Sequence, residues 1–153
     1  MTIFILHLKK ALFYFSRLTR DKMETYTLKP VGVVRSPLMD LADCPLQETE
    51  GAPEVTLEIN DGFAEALADI QPGDRLILFT WLHKANRDVL KCYPRDEKSK
   101  PEVGVFSTRS PDRPNPIGMH VVGVVDKIGP KKIKVYPLEV LDGTPVIDIK
   151  PVI

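Results

Sequence analysis

The chain has 153 residues, of which 43% are hydrophobic and 27% charged, a composition typical of one folded domain and unlike that of a disordered protein. Its 14 prolines and 9 glycines argue against a helical bundle and favour short strands joined by turns. The 21 basic residues balance the 21 acidic ones, so the molecule as a whole has no net attraction to nucleic acid.

Residues 1–22 differ from the rest of the chain. They hold five basic residues and one acidic residue, which leaves residues 23–153 with a net charge of −4. Their apolar run is too short for a signal peptide or for a membrane span of about 20 residues. We expect an extension outside the fold, followed by one domain over residues 23–153. The extension is either a basic amphipathic helix or sequence upstream of a natural start at Met23. The apolar residues at helical spacing are Ile5, Leu8, Leu12, Phe15 and Leu18.

Beyond residue 22 the apolar residues mostly alternate with polar ones, as they do in half-buried β-strands. Residues 75–82 form a near-continuous apolar run, which predicts a central strand covered on both faces. One short helix is predicted over residues 63–70, with Asn60 or Asp61 as its N-cap. The other predicted strands are residues 26–34, 54–59, 103–108, 118–128, 132–138 and 146–149.

Two loops interrupt this pattern, an acidic one at residues 38–53 and a long polar one at residues 84–102. Loops as long as the second are usually functional or disordered. Short strands at this spacing with one helix predict a mainly β fold, a small and mostly antiparallel barrel or sandwich.

The densest cluster of unusual residues is the turn within residues 104–118. Three prolines stiffen it, so its polar groups are already ordered before anything binds. Its side chains Arg109 and Arg113 offer planar forks that suit a carboxylate or a phosphate. The alternative interpretation is a rigid turn that carries two surface arginines.

Two further clusters carry candidate chemistry. Asp142-Gly143 is a common hairpin signal, and its carboxylate could also accept hydrogen bonds from a ribose or an amine. Trp81 stands at the end of a predicted strand, where it either stacks on a base or closes the core. His83 follows it without an HxxxH or HExxH pattern, so no metal site is expected.

Several motifs are absent from the sequence. It contains no GxGxxG, GxxxxGK[ST] or GxSxG pattern, which excludes the usual dinucleotide, phosphate-loop and nucleophile-elbow sites. Cys44 and Cys92 form no CxxC pair, which excludes a disulfide framework and a cysteine zinc knuckle. From the residues alone we therefore expect a small β-rich domain with an arginine-bearing turn.

Three stretches, taken together and in this order, carry a family resemblance: residues 31–37 (VGVVRSP), 104–118 (GVFSTRSPDRPNPIG) and 141–151 (LDGTPVIDIKP). They resemble the TrmO-like (TsaA-like) family of S-adenosylmethionine-dependent tRNA methyltransferases, over residues 26–151. The resemblance implies a single-sheet β-barrel with one short helix instead of a Rossmann fold. It also implies a cytoplasmic homodimer whose cofactor site lies close to the subunit contact, with no metal and no membrane.

The resemblance also implies an activity, methyl transfer to N6 of threonylcarbamoyladenosine beside the tRNA anticodon. From the chemistry of the reaction we expect Asp142 to serve the ribose or the adenine of the cofactor, and Arg109 to serve a carboxylate of the target or of the cofactor. His83 is the candidate base, because imidazole exchanges protons near neutral pH. The cofactor contacts that the resemblance implies are Pro45, Leu46, Gln47, His83, Lys84, Arg109, Met119, Glu139, Val140, Leu141 and Asp142.

A basic stripe is the expected contact with tRNA. Residues 84–113 contain eight basic and five acidic residues, a local net charge of +3 of the kind that phosphate contacts need. The alternative is a solvated loop. The residues expected to contact tRNA are Lys91, Arg95, Lys98, Lys100 and Arg113.

Two other functions stay open at this point. The acidic excess of residues 23–153 favours an S-adenosylmethionine-binding module without transferase activity. A methyltransferase with another nucleoside or a small molecule as its acceptor is the other alternative.

Overall fold

The computed structural model describes residues 25–153, which consist mainly of β-strands joined by turns and short 3-10 helices. The expected extension over residues 1–22 and the start at Met23 lie outside the described residues. In chain order the strands are β1 Gly32–Arg35, β2 Val55–Ile59, β3 Arg75–Trp81, β4 Lys91–Cys92, β5 Val103–Gly104, β6 Ile117–Ile128, β7 Lys132–Tyr136 and β8 Pro145–Pro151. The 3-10 helices of this part of the chain are Leu41–Asp43, Asp61–Leu67, Pro94–Asp96 and Val105–Ser107.

Six strands form one antiparallel sheet in the order β1–β2–β7–β6–β3–β8. The sheet closes into a barrel where β8 pairs with β1, with Gly32 opposite Val146 and Val33 opposite Pro145. β4 and β5 pair separately as a two-stranded sheet. The predicted mainly β fold, a small barrel made from a single sheet, is thus confirmed.

The barrel interior is filled by alternate residues of its strands, as the period of two predicts. Leu57 of β2, Leu78 of β3 and Ile133 of β7 are completely buried. In β3 the other residues, such as Ile77 and Phe79, are half-buried, so the outer face of this strand is also partly covered. That pattern agrees with the apolar run that predicted a central strand.

The predicted helix over residues 63–70 is a 3-10 helix at Asp61–Leu67. Its end is satisfied by a side chain, because the ammonium group of Lys127 donates to three carbonyl oxygens at 2.7, 2.9 and 3.1 Å. The Leu67 carbonyl also accepts from the Ile70 N–H at 3.2 Å, and the ammonium group adds a donor for the carbonyls at this helix end. They belong to Leu67, Ala68 and Ile70.

Two predicted strands are shorter in the structure by more than two residues. The first begins at Gly32 instead of residue 26, after Pro30, which has no N–H to give to a ladder. The strand predicted over residues 103–108 ends at Gly104, and Val105–Ser107 is a 3-10 helix. The long polar loop predicted after β3 also contains the short strand β4.

Candidate functional site

A cleft of about 650 Å³ lies where six stretches of the chain meet. Its lining residues fall within residues 41–48, 82–85, 92–96, 107–113, 117–120 and 139–144. The volume suits a small organic ligand, since ligand pockets measure about 300–1,000 Å³. The arginine-bearing turn and the segment after β7, which lie far apart in sequence, therefore line one cleft.

The turn that precedes β6 is held from within by Arg113. Its guanidinium donates to the carbonyl oxygens of Thr108 at 2.5 Å, Ser110 at 2.8 Å and Val105 at 3.3 Å. The Thr108 hydroxyl donates to the Val105 carbonyl and accepts from the Ser110 N–H. The turn is thus fixed by side chains as well as by its prolines. Arg113, which we expected to contact tRNA, gives these donors to its own backbone.

Arg109 belongs to this turn, and its exposed side chain lines the cleft. One guanidinium nitrogen, Nη2, donates to the Met119 carbonyl oxygen at 2.8 Å. Met119 belongs to β6 and also lines the cleft. A guanidinium has five N–H donors, so Arg109 keeps donors for a ligand after making this bond.

A buried row of hydrogen bonds joins β3, β6 and the segment after β7. His120 Nδ1 lies 2.8 Å from Glu139 Oε1, and His120 Nε2 lies 2.9 Å from Thr80 Oγ1. His120 is 6% exposed and Thr80 is fully buried. A Cβ at Gly118 would lie 2.4 Å from both His120 Nε2 and Thr80 Oγ1, so the close approach requires glycine there.

The Glu139 carboxyl group is ionised at neutral pH. Burial alone would raise its pKa, but the hydrogen bond from His120, together with the charges of His120 and Arg109, lowers the pKa below its ordinary value. Its second oxygen, Oε2, is buried and has no hydrogen-bond partner among the described residues. One oxygen of this carboxylate therefore lacks a donor within residues 25–153.

Asp142 has a structural part in the turn after β7. Its Oδ1 accepts from the Ser36 N–H at 3.0 Å, and its Oδ2 lies 4.0 Å from Arg35 Nη1. Gly143 follows with a φ of 76°. This is the third position of a β-turn that is closed by the hydrogen bond from the Thr144 N–H to the Leu141 carbonyl, and a positive φ there favours glycine. Glu139, Val140, Leu141 and Thr144 line the cleft, but Asp142 is not among its lining residues.

The acidic loop after β1 forms another wall of the cleft. Leu46 and Gln47 line it, whereas Pro45, which we expected beside the cofactor, does not. Cys44 also lines the cleft, and burial raises the pKa of its thiol. In the same loop Glu50 accepts from Arg95 at 2.7 Å, an exposed ion pair that links the loop to the one after β3.

His83 and Lys84 follow β3, are exposed and line the cleft. The backbone around them is tied to the turn before β6, because the Leu82 N–H donates to the Pro116 carbonyl at 2.8 Å. Three residues further on, the guanidinium of Arg87 lies 4.9 Å from the centroid of the Trp81 ring. An arginine of the protein itself therefore stacks on the Trp81 ring.

The other residues expected to contact tRNA differ in whether they line the cleft and in their ion pairs. Arg95 lines the cleft and is paired with Glu50. Lys91, Lys98 and Lys100 are exposed and are not lining residues. Lys100 forms an ion pair with Glu97 at 2.6 Å.

Residues 25–153 contain no cluster of three or more His, Cys, Asp or Glu side chains that could hold a metal ion. Over the same range there is no helix with the length and apolarity to cross a membrane.

Sequence reasoning missed Thr80 and His120. They occupy inward positions of β3 and β6, where the neighbouring inward residues Leu78 and Val122 are apolar. A polar residue in a row of inward apolar residues is informative, because buried polar groups need a partner. That signal would have singled out both residues, but not the partner each one finds.

Residues 33–153 match the family described as the tRNA-methyltransferase O N-terminal domain. A protein of Archaeoglobus fulgidus named S-adenosyl-L-methionine-binding protein is 43% identical over 123 residues, which cover 80% of this chain and 86% of that protein. Another protein of the same organism, named a probable S-adenosyl-L-methionine-binding protein, is 45% identical over 124 residues. Those residues make up 81% of this chain and 33% of that protein.

Among solved structures, TrmO from Pseudomonas aeruginosa is similar to this chain with a TM-score of 0.69 and 31% identity. The match covers 88% of this chain and 57% of that one, so this chain spans little more than half of the larger protein. The 33–153 range includes every residue that lines the cleft. The chain therefore belongs to the tRNA-methyltransferase O N-terminal domain family.

Proposed function

We propose that this chain binds S-adenosyl-L-methionine in its cleft and transfers the methyl group to N6 of threonylcarbamoyladenosine in tRNA. The observation that carries the proposal is the shared cleft of the Arg109 turn and residues 139–141, in a domain of a tRNA-methyltransferase family. The relatives named as S-adenosyl-L-methionine-binding proteins support the cofactor.

The charges in the cleft fit this cofactor. S-adenosyl-L-methionine carries two positive groups and one carboxylate, and the cleft offers the Glu139 carboxylate and the Arg109 guanidinium. The unpartnered Oε2 of Glu139 calls for a donor or a positive group from outside the described protein. Apolar side chains such as Leu46 and Leu141 supply surface for the nucleoside.

Bound S-adenosyl-L-methionine supplies a methyl group that is bonded to a positively charged sulfur. The sulfur is a strong leaving group when the methyl group is transferred. The protein residues therefore mainly orient the acceptor and hold the two reactants in line. N6 of threonylcarbamoyladenosine resembles an amide nitrogen and is weakly nucleophilic. We propose His83 as the base that takes its proton, since His83 lines the cleft and is exposed to an incoming substrate.

The acceptor is assigned to tRNA because of the family description and the position of the basic residues. Lys91 and Lys98 are exposed on the loop that contributes Arg95 to the cleft. Their exposure supports a contact with phosphates of an RNA whose modified base enters the cleft. A tRNA substrate also implies a cytoplasmic protein.

We propose a homodimer that forms through the outer face of β3 and β6. Ile117, Met119 and Val121 remain 44, 49 and 37% exposed on this face. Exposed apolar stripes of this kind indicate an interaction surface. Ile117 and Met119 also line the cleft, so a second copy would lie beside the cofactor. The facing pairs are Ile77 with Val121, Phe79 with Met119 and Trp81 with Ile117.

The test is methyl transfer from S-adenosyl-L-methionine labelled on its methyl group to total tRNA, with and without the threonylcarbamoyl modification. We expect label only in the modified tRNA. Label in other RNA or in a small molecule would contradict the acceptor but keep the transferase. Binding of the cofactor without any transfer would favour the alternative of a binding module. The His83→Ala variant tests the base: full single-turnover methylation across the pH range would contradict it.

A further inference from the structure

The two carboxylate oxygens of Glu139 have different surroundings. Oε1 lies 2.8 Å from His120 Nδ1, whereas Oε2 is buried without a hydrogen-bond partner in the described part of the chain. A buried acceptor without a donor reduces stability, so such atoms are rare in folded proteins. Glu139 lines the cleft, and a bound molecule can therefore supply the missing donor.

His120 and Thr80 decide which oxygen of Glu139 stays available. An ionised carboxylate only accepts hydrogen bonds, so His120 Nδ1 donates to Oε1. The other ring nitrogen, Nε2, is hydrogen-bonded to the Thr80 hydroxyl, 2.9 Å away. Because both ring nitrogens are engaged and both residues are buried, the ring holds Glu139 in one orientation.

We propose that Glu139 Oε2 accepts a hydrogen bond from the α-ammonium group in the methionine part of S-adenosyl-L-methionine, and that His120 is a positioning residue acting through Glu139. This inference rests on the proposed function, which assigns that cofactor to the cleft.

The chemistry of the missing partner selects the α-ammonium group. S-adenosyl-L-methionine has two positive groups, but its sulfonium carries no N–H, whereas its α-ammonium carries three. Arg109 is close enough for its positive charge to lower the pKa of Glu139. The amino-acid end of the ligand also carries a carboxylate, which matches the remaining donors of Arg109. Opposite charges in the cleft thus match opposite charges on one end of the ligand.

Titration calorimetry with three ligands tests this assignment on the full chain. S-adenosyl-L-methionine and S-adenosylhomocysteine both carry the α-ammonium group, and methylthioadenosine lacks the amino-acid end. The Glu139→Gln variant replaces Oε2 by an amide donor of the same size. We expect this variant to raise the Kd of the first two ligands by about tenfold or more. The Kd of methylthioadenosine should change by less than about twofold. Glu54→Gln, an exposed residue paired with Lys134, is the matched control and should change none of the three.

Two outcomes would overturn the assignment. An equal loss of affinity for all three ligands would mean that Glu139 contacts the nucleoside or only stabilises the fold. A loss of affinity for S-adenosyl-L-methionine alone would mean that Glu139 faces the sulfonium. If the unaltered chain bound none of the three, the proposed function itself would fail, and this inference with it.

The positioning role of His120 has its own readout, the ratio of the affinities for S-adenosyl-L-methionine and methylthioadenosine. His120→Leu removes the donor to Oε1, and we expect this ratio to fall by about tenfold. His120→Asn places an amide nitrogen on the same carbon that bears Nδ1, and we expect it to restore most of the ratio. A ratio like that of the unaltered chain in His120→Leu would overturn the positioning role, whatever the change in stability.

Discussion

The guanidinium of Arg113 donates to the carbonyl oxygen of Thr108 at 2.5 Å, so an arginine that looks from the sequence like a ligand contact closes its own turn. The same group reaches the carbonyls of Ser110 and Val105. Between these residues stands Arg109, whose side chain lines the cleft. The position of Arg109 therefore depends on Arg113.

Arg113→Lys tests this dependence. Lysine carries the charge but not the planar fork, so it cannot serve three carbonyls in the same way. We expect the free energy of unfolding to fall by about 1–3 kcal/mol and the Kd for S-adenosyl-L-methionine to rise by about tenfold. Urea denaturation and calorimetry measure the two effects. Arg75→Lys, an exposed position at the start of β3, is the control. Unchanged binding in Arg113→Lys would show that the turn does not need the fork.

Gly118→Ala should damage the buried row behind Glu139. The new Cβ would lie 2.4 Å from both Thr80 Oγ1 and His120 Nε2, so one of these must move and their hydrogen bond is lost. We expect a loss of about 1–3 kcal/mol in the free energy of unfolding, the usual cost of overpacking. Gly104→Ala is the matched control, because a Cβ there meets nothing within 4 Å. Equal stability of the two variants would contradict the tight approach at Gly118.

Lys91→Glu combined with Lys98→Glu should weaken tRNA binding and flatten its dependence on salt, because fewer counterions are released. Filter binding of tRNA over a range of salt concentrations measures both effects, while the affinity for the cofactor should stay the same. The control changes the charge equally at Lys29 and Lys150, exposed residues that do not line the cleft. Unchanged tRNA binding at low salt in the first variant would count against the basic stripe.

The stability of the barrel should depend on pH through Glu58. Hydrogen bonds from Lys132 and Arg35 lower the pKa of this carboxyl from 4.5 to about 2. Because the pKa is lower in the folded state, the contribution to stability is full above the unfolded value and is lost as the pH falls from about 4.5 toward 2. Urea denaturation of the unaltered chain and of Glu58→Gln should therefore differ above pH 4.5 and converge near pH 2. Salt should reduce the difference, since the pairs are at the surface. A difference that is constant with pH would contradict the assignment.

The barrel could be predicted from the sequence because its strands follow a simple rule. Val55, Leu57 and Ile59 alternate with polar residues, and all three face the core. The predicted helix is a 3-10 helix, and its end is held by Lys127, which is distant in sequence. Such long-range contacts leave no mark on local periodicity, so element ends are harder to predict than their existence.

The site was predictable only in part, for the same reason. The sequence indicates an unusual turn around Arg109, and motif resemblance adds the segment around Glu139. The hydrogen bond between His120 and Glu139 depends on how β6 and the segment after β7 meet in the barrel. Asp142 shows the reverse case, since a residue singled out for its carboxylate binds the Ser36 backbone instead of lining the cleft.

A crystal structure of the chain grown with saturating S-adenosyl-L-methionine tests the assignment of the cleft most directly. We predict electron density for the ligand between the Arg109 turn and residues 139–141, with its amino-acid end toward Arg109 and Glu139. Ligand density at any other surface, with this cleft filled only by solvent, would contradict the assignment.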